Sequence, residues 1–195
     1  MIRKKLSMLA VAAMFATVNV NAQTAGEMYI KPMAGGTLTT MVGDVEDAKM
    51  KFGFVGGAEF GYNINQQFAV TAGLLYTMQG AKNKIADANF NLDYLNIPVL
   101  ANVYVAPGLA IKAGPQLGIL MRAKQDGYDL KDLCNKVDFS IPVGLSYEFD
   151  DFVIDARYNI GLTKINKEVT NGGWTSHGSA RNSVIMLTVG YKIPL

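Results

Sequence analysis

The chain has almost none of the residue types that small exported domains and most enzymes depend on. It holds one cysteine, Cys134, one histidine, His177, and one tryptophan, Trp174. An exported protein with a single cysteine cannot build an internal disulfide framework. Its stability must therefore come from the fold, and Cys134 reads as a thiol tolerated in a loop. The only histidine stands beside Ser176, and sequence neighbours are poorly placed to act as nucleophile and base. No catalytic residue, cofactor or metal is expected, although a mechanism using carboxylates alone stays open. The acidic segments Val42–Met50 and Gln125–Lys136 lack the spacing of a calcium loop. After the first 22 residues no apolar run approaches the ~20 residues of a spanning helix. The formal charge is only +2, which leaves no electrostatic footprint for nucleic acid.

What is present begins with Arg3, Lys4 and Lys5, an apolar run from Leu6 to Val18, and the small-residue end Val20-Asn21-Ala22. This is the pattern of a secretory signal peptide over residues 1–22, leaving one domain at 23–195. A membrane anchor is the alternative, but the run is short for one. Gln23, not a cysteine, stands directly after Ala22, so the signal is not of the lipoprotein kind. Loss of the three basic residues takes the formal charge from +2 to −1.

From Met28 onward, apolar residues recur at every second position. In Asn91–Lys124, Leu95, Ile97, Val99, Ala101 and Val103 share one face, against Asn96, Pro98, Leu100 and Asn102. After the turn Ala106-Pro107-Gly108, Ile111, Ala113, Pro115, Leu117, Ile119 and Met121 oppose Lys112, Gly114, Gln116, Gly118 and Arg122. Period two over such lengths specifies strands. The same test gives strands at Met28–Met41, Lys51–Tyr62, Phe68–Gln79, Val137–Phe149, Phe152–Ile165 and Asn182–Leu195. With the two halves of Asn91–Lys124 the total is eight. Connections alternate long and short. The short ones, Asn63–Gln67, Val105–Gly108 and Asp150-Asp151, fall on the side that also holds both chain ends. This is the plan of an eight-stranded, antiparallel, up-and-down transmembrane β-barrel.

A soluble lipocalin-like barrel has the same period with its apolar face inward. Two features favour the membrane form. Gly53, Gly57, Gly61, Gly73, Gly114, Gly118, Gly144, Gly161 and Gly190 lie on the polar face, where long side chains in a narrow lumen need small neighbours; Gly36 and Gly56 do not. The aromatics of the apolar face sort to its ends. Phe60, Tyr62, Phe68, Tyr147, Phe149, Phe152 and Tyr191 lie near the short turns. Phe52, Phe54, Tyr76 and Phe139 lie near the long loops. That matches rings at two lipid–water boundaries. Turning the polar face to lipid would also place Lys or Arg in hydrocarbon at about 2–4 kcal/mol each near the midplane.

The segments Asp93-Tyr94-Leu95-Asn96-Ile97-Pro98-Val99-Leu100, Lys112-Ala113-Gly114-Pro115-Gln116-Leu117-Gly118 and Asp155-Ala156-Arg157-Tyr158-Asn159-Ile160-Gly161-Leu162 resemble the PorT-like family of small outer-membrane β-barrel proteins. The resemblance implies the same fold and a place in the cell outer membrane, with a link to protein secretion for some members. Thr188, Gly190, Ile193 and Leu195 also resemble the carboxy-terminal signal read by the barrel-insertion machinery, with Leu195 in place of the usual terminal Phe. That machinery and outer-membrane lipid are the expected partners, beside an extracellular or periplasmic protein that the residues do not identify.

The most specific constellation is a set of charges on the polar face: Lys31, Glu59, Lys112, Glu148, Asp155 and Lys192 near the short turns, with Arg157 higher. Near-balanced charge is what a closed interior requires, so these residues are expected to pair, fill the lumen and fix register. An ion or proton path is the alternative reading, and a lipid-modifying enzyme a more distant one. Water-filled channels belong to barrels of about sixteen strands. The long loops carry Asp44, Glu46, Asp47, Asp126, Asp129 and Asp132, and Trp174 is a candidate for contact with a partner or with headgroups. The expected role is non-enzymatic: envelope structure, surface binding or support of an assembly.

Overall fold

The computed structural model describes residues 23–43, 48–83, 89–125, 128–165, 169–171, 174–176 and 180–195, with side chains at 23–43, 50–81, 90–125, 128–165 and 180–195. The expected signal peptide, His177, the Trp174 side chain and the acids Asp44, Glu46, Asp47 and Asp126 lie outside that set.

The barrel strands are β1 (Met28–Val42), β2 (Lys51–Asn63), β3 (Phe68–Asn83), β4 (Asn89–Ala106), β5 (Leu109–Ala113), β6 (Gln116–Gln125), β7 (Val137–Phe149), β8 (Phe152–Gly161), β9 (Arg181–Tyr191) and β10 (Ile193–Pro194). β5 and β6 are two halves of one pass, broken at Gly114-Pro115, and β9 and β10 two halves of another, broken at Lys192. All pairs are antiparallel, and the eight passes close into a ring where β1 meets β9 (Met33↔Gly190 through Val42↔Arg181) and β10 (Tyr29↔Pro194). Closure leaves no sheet edge unpaired in lipid.

The short turns follow from local chemistry. In the β2–β3 turn the Asn65 side-chain oxygen accepts from the Gln67 and Phe68 amides at 2.8 Å each. Asp150 takes φ 51° between β7 and β8, and Gly108 φ 70° between β4 and β5, the left-handed geometry that tight hairpins require. The start of β1 and the end of β10 meet here, with the Leu195 amide donating to the Met28 carbonyl at 2.9 Å.

Burial alternates along every strand with the apolar side outward. Phe52, Phe54, Leu74, Leu145 and Leu187 are all more than half exposed, while Lys31, Glu59, Asp155 and Arg157 on the opposite face are almost fully buried. This inverts a soluble barrel and fixes which face meets lipid. Phe149, Phe152 and Tyr191 pack as a girdle at the short-turn end, with ring centroids 5.7 and 5.1 Å apart.

Three details depart from simple alternation. First, Gly80 to Phe90 is not a loop throughout. β3 and β4 stay paired out to Lys82↔Asn89, so an 18-residue β4 projects beyond the ~9–11 residues that span a bilayer. Second, the β4–β6 register shifts between Asp93 and Tyr94. Such a bulge reverses the faces beyond it: Ala123 turns inward, and Arg122 is more than half exposed instead of facing the lumen. Third, Pro98, Pro115 and Pro142 lie in one row across β4, the β5–β6 break and β7. The Val99 amide reaches the Pro115 carbonyl at 2.9 Å and the Gly114 amide the Pro142 carbonyl at 3.3 Å. Ladder pairing of β3 with β4 lapses between Ala72↔Val99 and Leu75↔Asn96. Prolines lack the ladder donor; side by side, they confine the lost bonds to one level of the wall.

Candidate functional site

The lumen is filled in layers. At its centre, register sets Lys31 of β1 opposite Glu59 of β2, and their Nζ and Oε2 atoms are 2.7 Å apart. Asp155 and Arg157 are two apart on β8 and so share a face. The guanidinium holds Asp155 in a bidentate pair, Nε to Oδ1 at 2.6 Å and Nη2 to Oδ2 at 2.7 Å. Its Nη1 also crosses the lumen to Glu59 Oε1 at 2.6 Å. Lys112 of β5 donates to Asp155 Oδ2 at 2.6 Å and lies 3.8 Å from Glu59 Oε2. The bridges from β8 to β2 and from β5 to β8 join strands that are not neighbours, so the group spans the bore. All five residues are at most 3% exposed. Three cations meet two carboxylates, each carboxylate contacted by more than one cation, as low-dielectric burial demands.

Glycines make the space. A Cβ at Gly73 would come 2.9 Å from Glu59 Cγ, and one at Gly190 2.9 Å from Lys31 Cγ. At Gly144, which lies between Lys112 and Arg157 in register, a Cβ would meet the Ala156 carbonyl oxygen at 2.3 Å.

Glu148 and Lys192 form a separate plug nearer the short turns. Lys192 Nζ is 2.5 Å from Glu148 Oε2 and sits 4.4 Å from the centre of the Tyr29 ring. The Tyr104 hydroxyl donates to Glu148 Oε1, and Gln23 Nε2 donates to Oε2, both at 2.7 Å. The seven charged residues read from the sequence thus divide into a group of five and a pair. Arg157 belongs to the group at the level of Asp155 rather than standing above it.

Outward of the five-residue group lies a thin apolar layer of Met33, Val55, Leu75 and Met186. A hydroxyl and amide layer follows, where Asn96 Nδ2 and Gln79 Nε2 donate to Thr77 Oγ1 at 2.7 and 2.8 Å. Gln116 Nε2 donates to Ser140 Oγ at 3.0 Å. Above it an apolar cap of Leu92, Tyr94, Leu120, Ala123, Cys134, Ile165 and Ala180 closes the loop end. Cys134 is therefore packed, at 3% exposure, rather than loose in a loop. The Asn135 amide donates to Ile165 at 2.7 Å and the Ile165 amide to Ala180 at 2.8 Å, which holds the cap together.

Alternation alone could have found Tyr104, two residues beyond Asn102 on the lumen face, and Asp138, which shares a face with Ser140. Nothing in the sequence pointed to Gln23, whose side chain enters the short-turn mouth; of the apolar cap, Leu92, Tyr94 and Leu120 share the parity of Asn96 and Gln116, whereas Ala123, Cys134, Ile165 and Ala180 carried no such signal.

The fold has solved counterparts. The attachment invasion locus protein Ail of Yersinia pestis matches with a TM-score of 0.51 at 15% identity, over 87% of this chain and 100% of that one. Neisserial surface protein A matches with 0.54 at 19%, over 85% and 97%. No curated protein matches the chain in sequence. The family model for the outer membrane protein beta-barrel domain matches residues 16–167. Built as a closed ring with lipid-facing apolar residues, and matched by that model over most of its length, the chain belongs to the outer membrane protein beta-barrel domain family and resides in the cell outer membrane.

Proposed function

We propose that this protein is a non-enzymatic outer-membrane barrel that acts through its loop-bearing end, as a surface-binding or envelope-assembly component, and does not conduct through its bore. One observation carries the reading: Lys31, Glu59, Lys112, Asp155 and Arg157 tie opposite walls of the lumen together at ion-pair distance. With the bore filled, the surfaces left for recognition are the projecting β3–β4 hairpin and the long loops, since binding residues concentrate on loops held by a rigid scaffold. The PorT-like motifs at 93–100, 112–118 and 155–162 support placing the chain in that branch of the family, where an association with secretion is the analogy to follow. The barrel-insertion machinery and lipid are its proposed partners in assembly, and a protein partner its proposed partner in work.

Exchanging the outer loops while keeping all strands tests the reading. The variant is expected to insert and keep heat-modifiable migration while losing the envelope phenotype of the native protein. Stable, ion-selective conductance steps from the unmodified protein in planar bilayers would contradict it.

A further inference from the structure

The eight passes close with a fixed stagger. Followed through paired residues from Gln67, beside Tyr104, round the ring to Val55, the wall returns to β3 at Thr77, ten residues nearer the loops. Stagger and strand tilt are linked, so a line of constant height in the membrane drops by about one residue at each step from β6 to β9. Four cations follow that line. Arg122 of β6 stands two residues above Leu120, whose amide meets the Lys136 carbonyl at 2.8 Å. Lys136 leads into β7. Register continued from Gly161↔Ser140 sets Lys164 one residue lower than Lys136. Continued from Ile160↔Ser183, it sets Arg181 two residues lower than Lys164. The four therefore share one level, to within about one residue's rise of ~3.3 Å.

That level lies just beyond the apolar band. Met121, Val137 and Leu162, the next exposed apolar residues below it, face lipid, with the girdle ring of Phe139 following on β7. Arg122, Lys136 and Arg181 are exposed. Carboxylates are few here. Asp93 lies 3.8 Å from Arg122 Nη1, is almost fully buried, and also accepts from the Tyr76 hydroxyl at 2.8 Å. Asp138 is buried in the lumen. Among the described residues, no carboxylate stands at ion-pair distance from Lys136 or Arg181. The other side of the barrel differs: near this level β1 carries Val42, and Met50 precedes β2, both exposed. Lys51 there donates to the Gln79 carbonyl at 3.1 Å.

We propose that this arc, from β6 to β9, binds the phosphate groups of anionic lipid in the outer leaflet. The occupant follows from the juxtaposition. A ligand here meets cations at one level and an exposed apolar wall directly beneath them, so it must carry an anionic head above hydrocarbon chains. Arginine matches phosphate oxygens with paired N–H donors, and lysine adds a point charge. The long stems of both reach a headgroup while lying along apolar surface. Lipid charge is thereby gathered on one side of the barrel, and the side bearing Val42 and Met50 has no such preference. The inference needs the membrane location alone, so it stands or falls apart from the loop-borne role proposed above.

The test uses the folded full-length mature chain in phosphatidylcholine vesicles, with trace spin-labelled phosphatidic acid or spin-labelled phosphatidylcholine. The motionally restricted part of each spectrum reports lipid held against the wall. Phosphatidic acid is expected to be favoured over phosphatidylcholine by at least about threefold, and less so as salt is raised. The variant R122Q/K136Q/R181Q is expected to lose the preference. The variant K124Q/K131Q, whose cations stand farther into the loops, is expected to keep it. Equal restriction of the two lipids by the native protein would overturn the proposal. So would a preference unchanged in the triple variant, or an equal loss in the two variants. Should the triple variant fail to insert, K136Q and R181Q alone decide: each is expected to lower the preference, and no change in either would overturn the site.

Discussion

At the scale of the residue, the lumen is governed by the cost of an unmatched buried charge. Glu59 receives Lys31 at 2.7 Å and Arg157 at 2.6 Å, so its removal leaves three cations, Lys31, Lys112 and Arg157, to share Asp155. Breaking a buried pair on one side costs about 3–5 kcal/mol, whereas replacing both partners with apolar groups of similar volume is often neutral. Glu59→Ala is therefore expected to lower stability by about 3–5 kcal/mol. The double change Lys31→Met with Glu59→Leu should lower it less, although Arg157 then rests on Asp155 alone. Urea unfolding in lipid vesicles measures both; an equal loss in the two variants would show that charge pairing is not what Glu59 supplies. The members of this group were legible in the sequence, since alternation places each on the polar face. Their division was not, because it depends on side-chain reach across the bore: Arg157 extends to the opposite wall, while Lys192 bends to Glu148.

At the scale of the element, glycines and prolines set how closely strands approach. A Cβ at Gly144 would press on the backbone of β8, with the Ala156 oxygen at 2.3 Å and the Arg157 Cα at 3.0 Å. Gly56, on the outer face, has its nearest such atom at 4.0 Å. Gly144→Ala is expected to cost about 1–3 kcal/mol through forced backbone shifts, and Gly56→Ala to stay within about 0.5 kcal/mol. Equilibrium unfolding of the two variants checks the contrast, and equal effects would contradict it. The strands themselves were readable because period two has no competitor over such lengths. The exceptions were hidden for identifiable reasons. The bulge at Asp93/Tyr94 needs two residues to oppose one, which a single strand's pattern does not reveal. The extension of β3 and β4 runs through polar residues that read as loop, with Gly80 at φ 127° inside it. The row of three prolines becomes intelligible only once register sets them side by side.

At the scale of the whole molecule, an apolar exterior surrounds a stack of alternating polar and apolar layers. Closure and orientation followed from the girdles, the placement of glycine and the cost of charge in hydrocarbon. The cap did not. Leu92 and Leu120 share the lumen parity of Asn96 and Gln116, but Ala123 turns inward only through the bulge, and it takes the backbone bonds of Asn135 and Ile165 to bring the residues of the connecting segments over the bore. The burial of Cys134 is a consequence of that arrangement. The orientation of the wall and the filling of the bore are tested together by a spin-label scan of β8 in a Cys134→Ser background. Labels at Ile154, Tyr158 and Ile160 should collide with lipid-dissolved oxygen. Labels at Val153 and Asn159, each at most 4% exposed in the native protein, should be shielded from both oxygen and a water-soluble nickel chelate. Oxygen accessibility without a period of two, or free access of the chelate at Val153 and Asn159, would contradict a closed lumen within a lipid-facing barrel.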